Sequence, residues 1–417
     1  MPDKDNNSSP CDIIPSMNHA SSAGASAAKS RTRVLSALAL LWLVGAALRL
    51  TILAVPPVLP RIHHDLGLNA TQVGLLTGLP SMLLALAAVP GSLLIARLGV
   101  RSAMIVGLIL TAIGGALRGL LPDVIWLYAM TVAMGAGVAV MQVSMPPAVR
   151  AWVPQRIGFA TAVYTNGLLI GEVAPVALTL PLVLPLMGNW QGGFAFWSAP
   201  VAAIAALVLL FAPRETPPGG AAVRRRWWPD WRSLLIWRLG FMLGTVNAVY
   251  FGTNAFLPDY LTHQGQGAWI SAALTGLNAG QVPASLLLLA FASRLELKAW
   301  PFVASGLLTL VAMTGVVFGS GPIVVASATL VGFSAAGILV LALALPPLLA
   351  APDDVHRVTA AMFTISYSWA VAVPIISGMV WDASGIPAMA FLPIAICGIV
   401  LVVLSPAINH VRRAEEV

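Results

Sequence analysis

VLSALALLWLVGAALRLTILAVPPVLP, residues 34–60, decides how this chain reads. The run is apolar along its length. It is long enough to cross a bilayer, which takes roughly 20 apolar residues in a helix. Arg49 sits near its middle. A charge at bilayer depth costs about 2.5–3.5 kcal/mol on insertion scales, so an Arg there needs a partner or a use. A single acidic residue, Glu172, lies at similar depth in another apolar run.

The rest of the chain shares this character. Of 417 residues, 59% are hydrophobic and 9% are charged, where a soluble domain carries about 25% charged residues. The surplus apolar surface must face lipid. Apolar runs fall at approximately 34–60, 71–96, 102–121, 124–147, 158–186, 193–212, 234–259, 267–293, 299–319, 322–348, 357–381 and 386–406. The reading is an all-α membrane protein of twelve transmembrane helices, with the lipid bilayer as its surroundings.

The net charge of +7 is distributed as a membrane protein requires, not as a nucleic-acid binder would carry it. With the N-terminus placed in the cytoplasm, 18 of the 22 Lys and Arg fall in cytoplasmic segments. Arg61 and Arg118 fall toward the other side, and Arg49 and Arg238 lie within helices. Arg118, at the outer end of the third run, reads as reaching for the headgroups. The positive-inside bias predicts both termini in the cytoplasm.

Residues 1–32 are rich in Ser, Ala and Asn, and read as an unstructured tail without a signal peptide. Residues 213–233, RETPPGGAAVRRRWWPDWRSL, read as a cytoplasmic linker whose basic and aromatic residues rest at the lipid interface. The linker separates two six-helix bundles, 33–212 and 234–406, and a second tail follows at 407–417. Cys11 and Cys397 lie too far apart for a disulfide. No Walker or Rossmann spacing and no metal-ligand pattern is visible, so neither cofactor nor metal is expected. No nucleophile–base pair suggests an enzyme.

The two halves repeat at an offset of about 198 residues. LTGL at 76–79 recurs at 274–277, and Arg97-Leu98 recurs as Arg294-Leu295. Val58-Leu59-Pro60 is echoed by Phe256-Leu257-Pro258. Met145-Pro146-Pro147, followed by Pro154 and Arg156, recurs as Leu345-Pro346-Pro347, followed by Pro352 and Arg357. Parallel repeats of this kind place a solute site at the repeat interface near the midplane.

Residues 92–101, SLLIARLGVR, resemble the signature between the second and third helices of the major facilitator superfamily, roughly Gly-x-x-x-Asp-Arg-x-Gly-x-Arg. Arg97, Gly99 and Arg101 match, while Ser92 replaces the Gly and Ala96 replaces the Asp. In that family the Asp helps latch the cytoplasmic side, so closure here must use other contacts. Within the superfamily the chain is similar to the cyanate-porter and 2-nitroimidazole-transporter group. GLLTGLP at 74–80, GGALR at 114–118, MQVSMPPAVR at 141–150 and NAFLPDY at 254–260 carry the likeness. Arg49, Arg118, Gln142, Asn247 and Gln281 match residues of that group, whereas Glu172 stands in a fifth helix that is small and Gly-rich there. The resemblance implies a transporter of a small anion or small polar aromatic solute.

Helix geometry groups the polar residues. Arg49, Glu172, Asn247, Asn278, Gln281 and Tyr367 fall near the centres of their runs. Asn247, Tyr250 and Asn254 share one face of the seventh helix, and Asn278 and Gln281 one face of the eighth. Tyr164 and Glu172 read as one face of the fifth, and Gln142 lies on the cytoplasmic half of the fourth. The expected site is therefore Arg49, Gln142, Tyr164, Asn247, Tyr250, Asn254, Asn278, Gln281 and Tyr367 around a small anionic solute. Glu172 is read as a proton-coupling group, and protons as a second partner. Arg97, Arg101, Pro146 and Pro346 read as gating residues at the cytoplasmic ends, where Pro bends a helix. The predicted function is secondary transport of a small anion by a monomer. Export of a neutral or aromatic drug-like compound, such as a nitroimidazole, is the alternative.

Overall fold

The computed structural model of the protein describes residues 17–68, 70–214 and 226–406. The Cys11 position, the Arg224-Arg225 pair and the 407–417 tail lie outside them. Within the described residues, eleven helices are long and apolar enough to cross a membrane, and a bent pair makes a twelfth. The first half comprises α1 (Thr32–Leu50), the bent pair Gly78–Leu86 and Ala88–Leu98 that forms α2, α3 (Val100–Leu117), α4 (Val124–Trp152), α5 (Pro154–Met187) and α6 (Trp190–Phe211). The second comprises α7 (Leu234–His263), α8 (Gly267–Leu295), α9 (Trp300–Phe318), α10 (Pro322–Leu349), α11 (Val355–Ser384) and α12 (Pro387–Leu404). The twelve-helix reading holds.

One boundary differs from the sequence reading. The helix that carries α1 starts at Met17, within the stretch read as an unstructured tail. Ala-rich sequence with Lys and Arg propagates a helix readily once the span has nucleated it.

Proline shapes two further helices. Pro90 has no N–H to give the carbonyl of Leu86, and α2 bends there by 53°. Pro56 and Pro57 follow α1 closely, so the helix stops at Leu50, one residue past Arg49, and turns through 51–54. Arg118 takes up a carbonyl at this break: its Nη2 donates to Thr51 O at 2.6 Å, and its guanidinium lies 4.2 Å from the centre of the Phe194 ring. The side chain is 1% exposed, which corrects the expectation that Arg118 snorkels to the headgroups. The carbonyl of Thr51, just past the end of α1, and the Phe194 face offer it partners inside the bundle.

The apolar cores show how the halves meet. One continuous core runs through the first half and into the ends of α7, α8, α10 and α11 that lie beside Arg150, Arg294 and Arg357. A separate core fills the opposite end of the second half, around Leu257, Tyr260 and Phe391. The halves are therefore fused at the basic end and parted at the other. Large apolar side chains such as Ile113, Leu210, Val311, Phe318 and Val403 stand exposed on the outside, as lipid-facing helices require.

Candidate functional site

Glycine brings α1 and α5 into backbone contact. A Cβ at Gly45 would lie 2.1 Å from Tyr164 O, and one at Gly167 would lie 2.1 Å from Trp42 O. At Gly171 it would meet Ala46 O at 2.2 Å. Small residues spaced by four let membrane helices approach this closely. Arg49 lies one turn beyond Gly45, and Glu172 follows Gly171 directly. The two charged side chains are thereby forced together: Arg49 Nε donates to Glu172 Oε1 at 3.1 Å. Arg49 Nη2 reaches across to the Tyr367 hydroxyl of α11 at 3.4 Å. The guanidinium thus ties two helices of one half to a helix of the other.

A central cavity surrounds this group. A small floor of about 40 Å³ is bounded by Gln142, Asn247, Phe363 and Tyr367. A vestibule of about 640 Å³ runs from it past Ile52, Val176 and Leu274, toward the end where the halves are parted. Arg49, Glu172, Tyr250, Phe251 and Gln281 border both. Gln142 is 2% exposed, and its Oε1 has no hydrogen-bond partner among the described residues. Asn247 Nδ2 donates to Ser366 Oγ at 2.8 Å. The Tyr250 hydroxyl donates to Asn278 Oδ1 at 2.6 Å, and Asn278 Nδ2 lies 3.4 Å from Asn254 Oδ1. Phe363 and Tyr367 stack with ring centres 6.0 Å apart.

Two expected lining residues stand elsewhere. Tyr164 is fully buried, lines neither compartment, and its hydroxyl has no partner among the described residues. Eight residues at about 100° each leave Tyr164 some 80° around α5 from Glu172, so the shared face was too generous. Asn254 also lines neither compartment, and instead braces Asn278 from behind.

The basic end closes through contacts that the loop signature does not contain. Arg97 is exposed, and Arg101 donates to the Leu209 carbonyl of α6 within its own half. Pro146 and Pro346 are buried in α4 and α10. One turn past Pro146, Arg150 crosses the seam and donates through Nη1 to the carbonyl of Pro347 and, at 2.7 Å, to that of Ala350. A cation on the last carbonyls of α10 sits at the negative end of that helix. Thr364 Oγ1 donates to Ala85 O at 3.0 Å, joining α11 to α2 beside its bend. Glu296, just past α8, lies at the first turn of α5, where a Cβ on Gly158 would come within 2.1 Å of its Oε2. Burial there pushes the Glu296 carboxyl above its ordinary value, against a smaller opposing pull from the Gly158 backbone. The linker adds a strap, with Ser92 Oγ donating to Trp227 O at 2.9 Å and Arg357 Nε to Trp228 O at 2.8 Å.

Sequence reasoning missed the Glu296 contact and a polar bridge below the site. In that bridge Trp42 Nε1 donates to Asn166 Oδ1 at 3.0 Å, and Asn166 Nδ2 to Ser285 Oγ at 3.2 Å. The one available signal was positional: Glu296 directly follows Arg294-Leu295, the repeat of Arg97-Leu98.

Comparison with known proteins agrees with this fold. Residues 41–279 match the sequence profile of the Major Facilitator Superfamily. The chain is 26% identical over 385 residues to the cyanate transport protein CynX of Escherichia coli (strain K12), covering 90% of this chain and 97% of that one. It is 28% identical over 242 residues to the 2-nitroimidazole transporter of the same strain, covering 56% of this chain and 60% of that one. Among solved structures it resembles the major facilitator transporter FucP in the outward conformation, with a TM-score of 0.67 at 15% identity over 89% of this chain and 98% of that one.

Proposed function

The chain belongs to the Major Facilitator Superfamily, and from that premise we propose that it carries a small anionic solute across the membrane by alternating access. The observation that carries this reading is Arg49. It stands where floor and vestibule join, and among the described residues its hydrogen bonds run through Nε to Glu172 and Nη2 to Tyr367, leaving Nη1 to a solute. A planar guanidinium suits a carboxylate-like or delocalised anion. Gln142, Asn247, Tyr250, Gln281 and Tyr367 border the same space and orient the solute.

The end bearing Arg150 faces the cytoplasm in this reading, with both termini on that side of a bacterial inner membrane. The cavity then opens outward, and Pro146 and Pro346 lie in the closing ends of α4 and α10. The transporter works as a monomer. Glu172 couples the solute to protons. An incoming anion competes for Arg49 Nε, the freed carboxylate accepts a proton, and the two move together. The names of the cyanate and 2-nitroimidazole relatives support a small solute of this kind.

Export of a neutral nitro-heterocycle is a second reading, favoured by the stacked Phe363–Tyr367 pair beside Arg49. The deciding experiment is counterflow in proteoliposomes with labelled cyanate and labelled 2-nitroimidazole, using wild type and Arg49→Ala. Arg49-dependent exchange of the anion supports the anion carrier. Exchange of the neutral heterocycle alone, unaffected by Arg49→Ala, overturns it.

A further inference from the structure

The cavity has two unlike compartments. The floor, about 40 Å³, brings the Arg49 guanidinium and the Gln142 amide to one small space. A water molecule needs roughly 10–15 Å³ of such space, so the floor takes a group of about three heavy atoms. A carboxylate head is of that size, and so is a whole triatomic anion. The vestibule is some sixteen times larger, about 640 Å³ against about 40 Å³.

The vestibule is also lined differently. Ile52, Leu53, Leu169, Val173 and Val176 make the wall from α5 and the segment following α1 aliphatic, and Leu274 faces it from α8. A mostly apolar space of about 300–1,000 Å³ with a few convergent polar groups is the build of an organic-ligand site. A triatomic anion would fill the floor and gain nothing from these walls. An apolar body would remove them from water.

We propose that the solute is an organic carboxylate with an apolar body: the head occupies the floor against Arg49, and the body lies along the aliphatic wall of the vestibule. The inference rests on the reading of Arg49 as anion anchor. It narrows that reading from small anions in general to amphipathic monocarboxylates.

The test is a binding series on the purified full chain in lipid nanodiscs, by calorimetry. Acetate, butanoate, hexanoate and cyanate are titrated into wild type, Arg49→Ala and Val176→Asn. Wild-type affinity is expected to rise about fourfold per methylene from acetate to hexanoate. Cyanate should bind no better than acetate, and Val176→Asn should flatten the rise. Affinity that is equal along the series, with cyanate as tight as hexanoate and binding still dependent on Arg49, overturns this inference and leaves the anion anchor standing. Hexanoate binding that is as tight in Arg49→Ala as in wild type overturns the anchor itself.

Discussion

Glu172 follows directly on Gly171, the glycine that seats α5 against Ala46 of α1, and its Oε1 accepts from Arg49 Nε at 3.1 Å. The ion pair is thus a consequence of backbone contact. It also answers the cost of both charges. Each would be expensive alone at this depth, and breaking such a pair from one side leaves the other charge uncompensated, at about 3–5 kcal/mol.

The first prediction follows from this geometry. Arg49→Lys keeps the charge and loses the planar fork, and solute binding should weaken by roughly tenfold or more. Arg49→Ala should abolish uptake into vesicles when uptake is measured per folded protein. Wild-type uptake by Arg49→Ala would remove Arg49 from the site.

Glu172→Gln tests the coupling. Wild-type proteoliposomes taking up the solute should alkalinise the external medium. The Gln variant should show no alkalinisation while still exchanging solute for solute. Wild-type uptake that ignores protonophores and pH would assign Glu172 to holding Arg49 in place.

Arg150 closes the basic end on the carbonyls of Pro347 and Ala350. Arg150→Ala should therefore shift the protein toward the state open at this end. Cysteines placed at 145 and 345 report on it, because Met145 and Leu345 lie in the shared core of the two halves. Their cross-linking yield should fall by about half or more in the Arg150→Ala background, since one lost charged hydrogen bond of roughly 1.5–3 kcal/mol is enough to redistribute two states. An unchanged yield would place the latch elsewhere.

Glu296 makes the same closure sensitive to pH. Its carboxyl is pushed up by burial when the halves are joined at this end, and parting them exposes it to water. The closed end therefore holds the proton more tightly than the open one. As pH falls from the raised value toward the ordinary carboxyl range near 4.5, the closed end gains stability. As pH rises through the raised value, that gain is lost. The 145–345 cross-link should increase on acidification of the basic side, and Glu296→Gln should flatten the response. A profile identical in wild type and Glu296→Gln would assign the titration to another group.

Arg118 holds the break that lets α1 end beside Arg49. Arg118→Met leaves Thr51 O without its donor, a loss of about 1–3 kcal/mol for a buried acceptor. The expected outcome is a lowered melting temperature together with weaker solute binding. Arg118→Lys should recover part of both. Unchanged stability in Arg118→Met would show that water serves Thr51 equally well.

Much of this protein was decided by its sequence. Apolar runs of bilayer length decide the twelve spans, because lipid forces backbone bonds inside each helix, and the likeness of residues 92–101 to a known loop signature pointed to the family. Arg49 and Glu172 stood out on cost alone. Partners across helices were not legible in this way. Period and depth place a side chain on a face of its own helix but do not rotate that helix against its neighbour. The inward turn of Arg118 was invisible for that reason, whereas Tyr164 was misplaced by treating an eight-residue spacing as one face. The tertiary structure decided which end is shut, since that depends on Arg150 and Glu296 meeting helix ends of the opposite half, and such helix-end contacts leave no paired charge in the sequence to read.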